Sequence, residues 1–262
     1  MNNDDHAKQD LAIKELIAVG SEITGSIAGG IIGLLTTGPV GAIFGSASVP
    51  FLTRTIKKIS HEVQDKFLGH REEVRIGATL TYALDKIKIK IENGENTRDD
   101  NFFNSEKNER SAAEEILEGI LIASQKEHQE KKLRYYGNLI ANLGFDKSFD
   151  REQANHLIKI SEQLTFRQLC LLELFAHKGK YELRQNDYMD VKIYDSKVMV
   201  ILQEIYELYN HSMLISDGAM LGFTFVNPSK MKVIGEGAYL HNLMELCTIE
   251  IYELMKTSTL LK

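Results

Sequence analysis

The stretch from Ile23 to Thr53, ITGSIAGGIIGLLTTGPVGAIFGSASVPFLT, limits what this chain can build more than any other. It holds no charged residue; Glu22 closes it on one side, and Arg54, Lys57 and Lys58 close it on the other. Small residues return at every fourth position: Ser21, Gly25, Gly29, Gly33, Thr37, Gly41 and Gly45. On a helix that spacing stacks them along one face, where the missing side chains let a second helix approach closely. Ile27, Ile31, Ile32, Leu34, Leu35, Val40, Ile43 and Phe44 fill the positions between them. The pattern predicts a glycine zipper that packs helix on helix, in lipid or in an oligomer. Soluble helices usually keep one polar face, so the absence of charge favours the bilayer. The alternative is a tight glycine-rich hairpin within a soluble core.

The stretch exceeds the roughly 20 apolar residues that cross a bilayer as a helix. Its Gly, Ser and Thr content keeps its hydrophobicity moderate, so it would insert less readily than a leucine-rich span. Gly38 and Pro39 lie near its middle and predict either a hairpin of two short helices or one long kinked helix. The four-residue register runs on through Pro39, which favours the single helix. A single crossing would place Arg54, Lys57 and Lys58, and the large C-terminal part behind them, in the cytoplasm. A bacterial inner-membrane location follows from that reading, with a cytoplasmic protein as the alternative. The N-terminus, MNNDDHAKQD, is acidic and lacks the positive region of a secretory signal.

The chain as a whole has an ordinary globular composition, with 43% hydrophobic and 26% charged residues in 262. A net charge of -6 argues against a general nucleic-acid binder, which would carry a basic face. Cys170 and Cys247 both fall in apolar helical patterns and read as buried, reduced thiols.

Residues 10–19 read as a short amphipathic helix, and residues 60–91 as a longer one with Val63, Phe67, Val74, Leu80, Leu84, Ile87 and Ile91 on its apolar face. Its end, KIKIKI, alternates like a strand but continues a helical pattern. Residues 92–110 are polar and rich in turn formers, which marks a linker in which Phe102 and Phe103 dock. Ser111 with Glu114 forms a capping box for the next helix. A solvated run, QKEHQEKK (125–132), separates that helix from one ending near Gly144. Asp150 with Gln153, Thr165 with Gln168, and Asp195 open three further helices, the second ending at Gly179. After His211, SMLISDG, GFTFV and MKVIGEG read as short strands, and a last helix runs from about Tyr239 to Lys256.

Three regions result: 1–58, the zipper with its flanking amphipathic helix; 59–110, a helix and polar linker; and 111–262, a helical and winged-helix-like domain. The expected fold is mainly α, with an N-terminal glycine-zipper helix or hairpin, a helical middle and a C-terminal winged-helix-like α+β domain.

Chemical motifs are scarce. His61-Glu62 opens like a zinc-protease helix, but Asp65 stands where the second histidine is needed. His128 sits in a charged run that reads as a solvated face. Asp99 and Asp100 read as turn or cap residues rather than an acid–base pair. Gly235 and Gly237 lack the third ordered glycine of a dinucleotide fingerprint. The candidate recognition helix from Asp195 to Asn210 offers Lys197, Gln203 and Asn210 against Asp195, Glu204 and Glu207. From Asn155 to Lys262, 13 acidic residues face 11 basic ones, so a nucleic-acid partner is not expected. No catalytic residue, metal ligand or cofactor site is assigned.

Three segments together resemble an uncharacterised bacterial protein family: REEVRIGATLTYALDKI (71–87), RSAAEEILEGILIASQKEHQEKKLRYYGNLIANLGFD (110–146) and ANHLIKISEQLTFRQLCLLELF (154–175). The resemblance covers about two-thirds of the chain and brings no catalytic residue with it. The order of a glycine-rich membrane-like segment before a helical sensor domain is similar to membrane-disrupting effectors of bacterial antiphage defence. The expected function is a non-enzymatic membrane effector or anchored interaction protein, with the bilayer, further copies of itself and an unidentified protein as partners. The alternative is a soluble cytoplasmic regulator whose winged-helix-like domain binds protein or DNA.

Overall fold

The computed structural model describes residues 54, 55, 58, 62, 69–105, 109–192 and 195–262. The described residues are mainly helical, with eight α-helices and one two-stranded sheet. The chain divides into two compact units, one ending at Glu162 and the other beginning at Gln163.

The first unit is built on α1 (His70–Glu92), α2 (Ala112–Lys126), α3 (Leu133–Leu143) and α4 (Arg151–Gln163). Val74, Ala78, Ala83 and Ile87 recur at helical spacing on α1 and are fully buried. KIKIKI is the last part of that helix, so the strand alternative falls away. Gly137 sets how closely α3 lies on α1. A Cβ there would stand 2.5 Å from Tyr82 Cβ and 2.9 Å from the Ala83 nitrogen and the Thr79 oxygen. Ser111 caps α2 as expected, accepting a hydrogen bond from the Glu114 amide at 3.2 Å. Asp150 and Gln153 bond reciprocally across the start of α4.

Two expectations for this unit are corrected. The polar segment after α1 is tied down: the Arg98 guanidinium is buried and donates to the carbonyls of Leu143 and Phe149 at 3.3 and 3.0 Å. It also lies 3.9 Å over the ring of the buried Phe102. The Arg98 side chain and amide thereby satisfy the Leu143 and Gly144 carbonyls, which the end of α3 leaves unpaired. Nor is the run 125–132 wholly solvated, because α2 ends at Lys126 and the chain turns inward before α3. Lys132 is 1% exposed, and its ammonium lies 2.6 Å from Glu127. The Tyr136 hydroxyl joins the same carboxylate and the Ser161 carbonyl, both at 3.3 Å. Burial pulls the Lys132 pKa down and pushes the Tyr136 pKa well up, as expected for charges removed from water.

The second unit is organised around α5 (Phe166–Ala176), against which α6 (Ser196–Asn210), α7 (Gly235–Leu243) and α8 (Ile251–Thr259) pack. Thr165 and Gln168 form the expected capping box at the start of α5. Asp195 caps α6, which buries Ile201, Leu202, Ile205 and Leu208 and leaves Val198 and Tyr209 half-buried. β1 (Leu214–Ile215) pairs antiparallel with β2 (Lys232–Val233), Leu214 facing Val233. GFTFV is a turn of 3-10 helix rather than a strand. The expected last helix is interrupted: at Glu245 the backbone enters the left-handed region (φ 53°), a 3-10 turn follows, and α8 begins afresh. α5 ends at Ala176, before Gly179. Cys170 is buried as expected, whereas Cys247 is exposed because it falls in that interrupting turn. No helix among the described residues is long and apolar enough to cross a membrane.

Candidate functional site

With neighbours on several sides, α5 is apolar nearly all round: Leu169, Leu171, Leu172 and Leu174 are each 0% exposed. Glu173 interrupts this run and is itself 3% exposed. An unpaired carboxylate there would carry a large desolvation penalty. Two imidazoles relieve it, one on each oxygen. His177 Nδ1 lies 2.8 Å from Oε1, and His241 Nε2 lies 2.6 Å from Oε2.

The local fold explains how each ring arrives. His177 is one turn beyond Glu173, and its backbone N–H donates to the Glu173 carbonyl at 3.1 Å, closing α5. The chain then enters a 3-10 turn held by Lys178, whose ammonium donates to the carbonyls of Ser229 and Met231 at 2.8 and 3.0 Å. His241 comes from α7. Gly237, one turn earlier on α7, sits where a Cβ would be 2.6 Å from the Met213 oxygen and 3.2 Å from Leu172 Cδ2. Gly235 starts the helix at φ +51°, in the left-handed region that suits glycine. These two glycines, unassigned in the sequence, let α7 settle against α5 deeply enough for His241 to reach Glu173.

Burial pushes the Glu173 pKa up. The hydrogen bond from His241 and the positive charges of both imidazoles outweigh it, and the net shift is downward. His241 is raised, first by its hydrogen bond to Glu173 and then, against burial, by Asn242 and the Glu173 charge. The Asn242 side-chain oxygen lies 3.3 Å from the other ring nitrogen, Nδ1. Tyr181 is pushed up by burial and by the Glu173 charge. The two rings lie 5.7 Å apart at their centroids. They border a cleft of about 590 Å³, whose lining includes Asn242, Lys178, Lys180 and Lys232. Serine, threonine and cysteine are absent from the described lining. The cluster can hold a proton between carboxylate and imidazole. Its three donor groups, with ligand atoms all within 4.8 Å of one another, can also hold a metal ion.

Among the described residues, those singled out in the sequence, Gly235 and Gly237 apart, are not part of this cluster. Ser21, Gly25, Gly29, Gly33, Thr37, Gly41, Gly45, Lys57 and His61 are outside the described residues. Arg54 is exposed, and the Lys58 ammonium donates to Glu114 Oε1 at 2.7 Å. Glu62 faces Arg110 at 3.4 Å. His128 is exposed. Asp99 and Asp100 do not act as a carboxylate pair: Asp99 faces Lys147 at 3.4 Å, and Asp100 pairs with Arg98. On α6, Lys197, Gln203 and Asn210 are exposed, while Glu204 turns to Arg167 at 2.5 Å.

The cluster of Glu173, His177 and His241 was not singled out from the sequence. Its signal was a lone carboxylate inside LCLLELF with a histidine four residues on. Comparison with known proteins gives no match: no family model matches the chain, and neither a curated protein nor a solved structure does.

Proposed function

We propose that this protein is a non-enzymatic, membrane-associated effector that self-associates through the zipper in Ile23–Thr53 and carries a C-terminal sensing or recruiting module. The observation that carries this reading is the uncharged stretch itself, with small residues in unbroken four-residue register from Ser21 to Gly45. In lipid, helix association rests on close backbone packing, which this register provides. Arg54, Lys57 and Lys58 supply the cytoplasmic flank of an inner-membrane segment. The order α5, α6 and then the β1–β2 pair supports a winged-helix-like reading of the C-terminal unit. The acidic residues of α6 favour a protein or small ligand over DNA as its partner. Perturbation of the membrane in antiphage defence is the role this architecture suits.

The test is fractionation of the full chain beside a variant lacking residues 20–53. The full chain is expected to pellet with membranes through a salt wash, and the deletion to release it. Gly29→Leu and Gly33→Leu should stay in the membrane but lose the cross-linked oligomer. If the full chain and the deletion are both soluble, the membrane reading is wrong and a soluble cytoplasmic regulator takes its place.

A further inference from the structure

We infer that Glu173, His177 and His241 form a binding site for a divalent transition-metal ion of the zinc class, open on one side to the cleft. Two imidazole nitrogens and one carboxylate oxygen are the donor set of zinc centres that keep a fourth position for water or an exogenous ligand. Here they come from two helices: Glu173 and His177 one turn apart on α5 and its cap, and His241 from α7. The ligand atoms converge within 4.8 Å. Zinc bonds of 2.0–2.1 Å would set ligand atoms roughly 3.3 Å apart in a tetrahedron. The observed separations, 2.8 Å from His177 to Oε1 and 2.6 Å from His241 to Oε2, run to different oxygens, so the pair on the ligating oxygen needs to open by roughly 0.5–0.7 Å and the other imidazole to turn toward the same ion. The His177 side chain, 37% exposed at the cleft, has room to turn by that much.

The surroundings match a metal site beyond the donors themselves. A ligating histidine normally gives its other ring N–H to a fixed oxygen, which sets the tautomer. His241 has that partner in the Asn242 side chain, 3.3 Å from Nδ1, while Nε2 faces the carboxylate. The carboxylate is rigidly placed, on a helix whose neighbouring leucines are fully buried. The cleft is lined by Lys180, which could attract an anion as fourth ligand, whereas Lys232 is paired with Asp217 at 3.0 Å. Lys178, also at the cleft, is committed to two carbonyls.

This inference goes beyond the membrane reading and does not depend on it. The experiment uses the full chain in mild detergent, stripped with chelator, and Zn²⁺ measured by equilibrium dialysis, with Co²⁺ as the spectroscopic probe. We expect one Zn²⁺ per chain and Co²⁺ d–d absorption of a low-coordinate site. His177→Ala, which leaves Glu173 its His241 partner at 2.6 Å, should weaken Zn²⁺ binding at least a hundredfold. His241→Ala should do the same, and Asn242→Ala should weaken it about tenfold, as loss of an outer-shell partner does. Circular dichroism on each variant separates lost ligation from lost folding. Absence of stoichiometric Zn²⁺ uptake by the wild-type chain, or uptake unchanged in His177→Ala, overturns the site. Neither result bears on whether the protein pellets with membranes.

Discussion

At the scale of single residues, two positions in the first unit carry consequences that can be measured. Gly137 is where α3 touches the backbone of α1, and a methyl group there collides with Tyr82, Ala83 and Thr79 at once. Two of those contacts are backbone atoms, so relief requires the helices to part. Gly137→Ala should destabilise the unit by about 1–3 kcal/mol, the usual range for overpacking, read as a lower melting temperature. Asp100 offers a pH test. The hydrogen bonds and charge of Arg98 outweigh burial and hold its carboxyl below the ordinary value of 3.8. A depressed carboxyl adds stability that is complete above its unfolded pKa and lost as pH falls through the folded one. Asp100→Asn should therefore be less stable than wild type at neutral pH, and the gap should close as denaturation curves are taken below about pH 4. Both residues were visible in the sequence, but neither announced its role. Gly137 sits in an unremarkable helical pattern, and Asp100 in a segment that reads as a linker.

At the scale of elements, local signals carried most of the reading. Capping residues act over two or three positions, and the caps at Ser111, Asp150, Thr165 and Asp195 all start helices where the sequence placed them, with the reciprocal bond of a full box at Asp150 and Thr165. Thr165 is the most informative of these, because α5 carries Glu173 and His177. Its side chain accepts from the Gln168 amide at 3.1 Å, and its own N–H donates to the Gln168 side chain at 2.8 Å. Thr165→Ala should cost about 1 kcal/mol, visible in urea denaturation as a lower midpoint with unchanged slope. Elements fixed by distant contacts were harder to read. GFTFV has strand-like composition but forms a 3-10 turn. The Tyr188 amide donates to Thr224 within it, a partner 36 residues away that no local rule supplies. The break at Glu245 is likewise silent in the sequence, because glutamate is an ordinary helix former and rarely adopts a positive φ.

At the scale of the whole molecule, the candidate site was illegible for a geometric reason. Glu173 and His177 are a one-turn pair that a careful eye can mark, but His241 is 68 positions from Glu173 and joins only through the packing of α7 on α5. That packing depends on Gly237, whose importance follows from what it lies against rather than from any motif. The anchoring of Arg98 has the same character, since its carbonyl partners at Leu143 and Phe149 come from further along the chain. The bridged carboxylate of α5 also constrains how this sequence can drift. Losing either histidine first leaves one oxygen of a buried carboxylate without its imidazole, a step that selection on folding would oppose. Losing the glutamate first, to glutamine, leaves hydrogen-bonding partners and no buried charge, after which both histidines are free to vary. Descent away from this site therefore has a preferred order, with the acid going first.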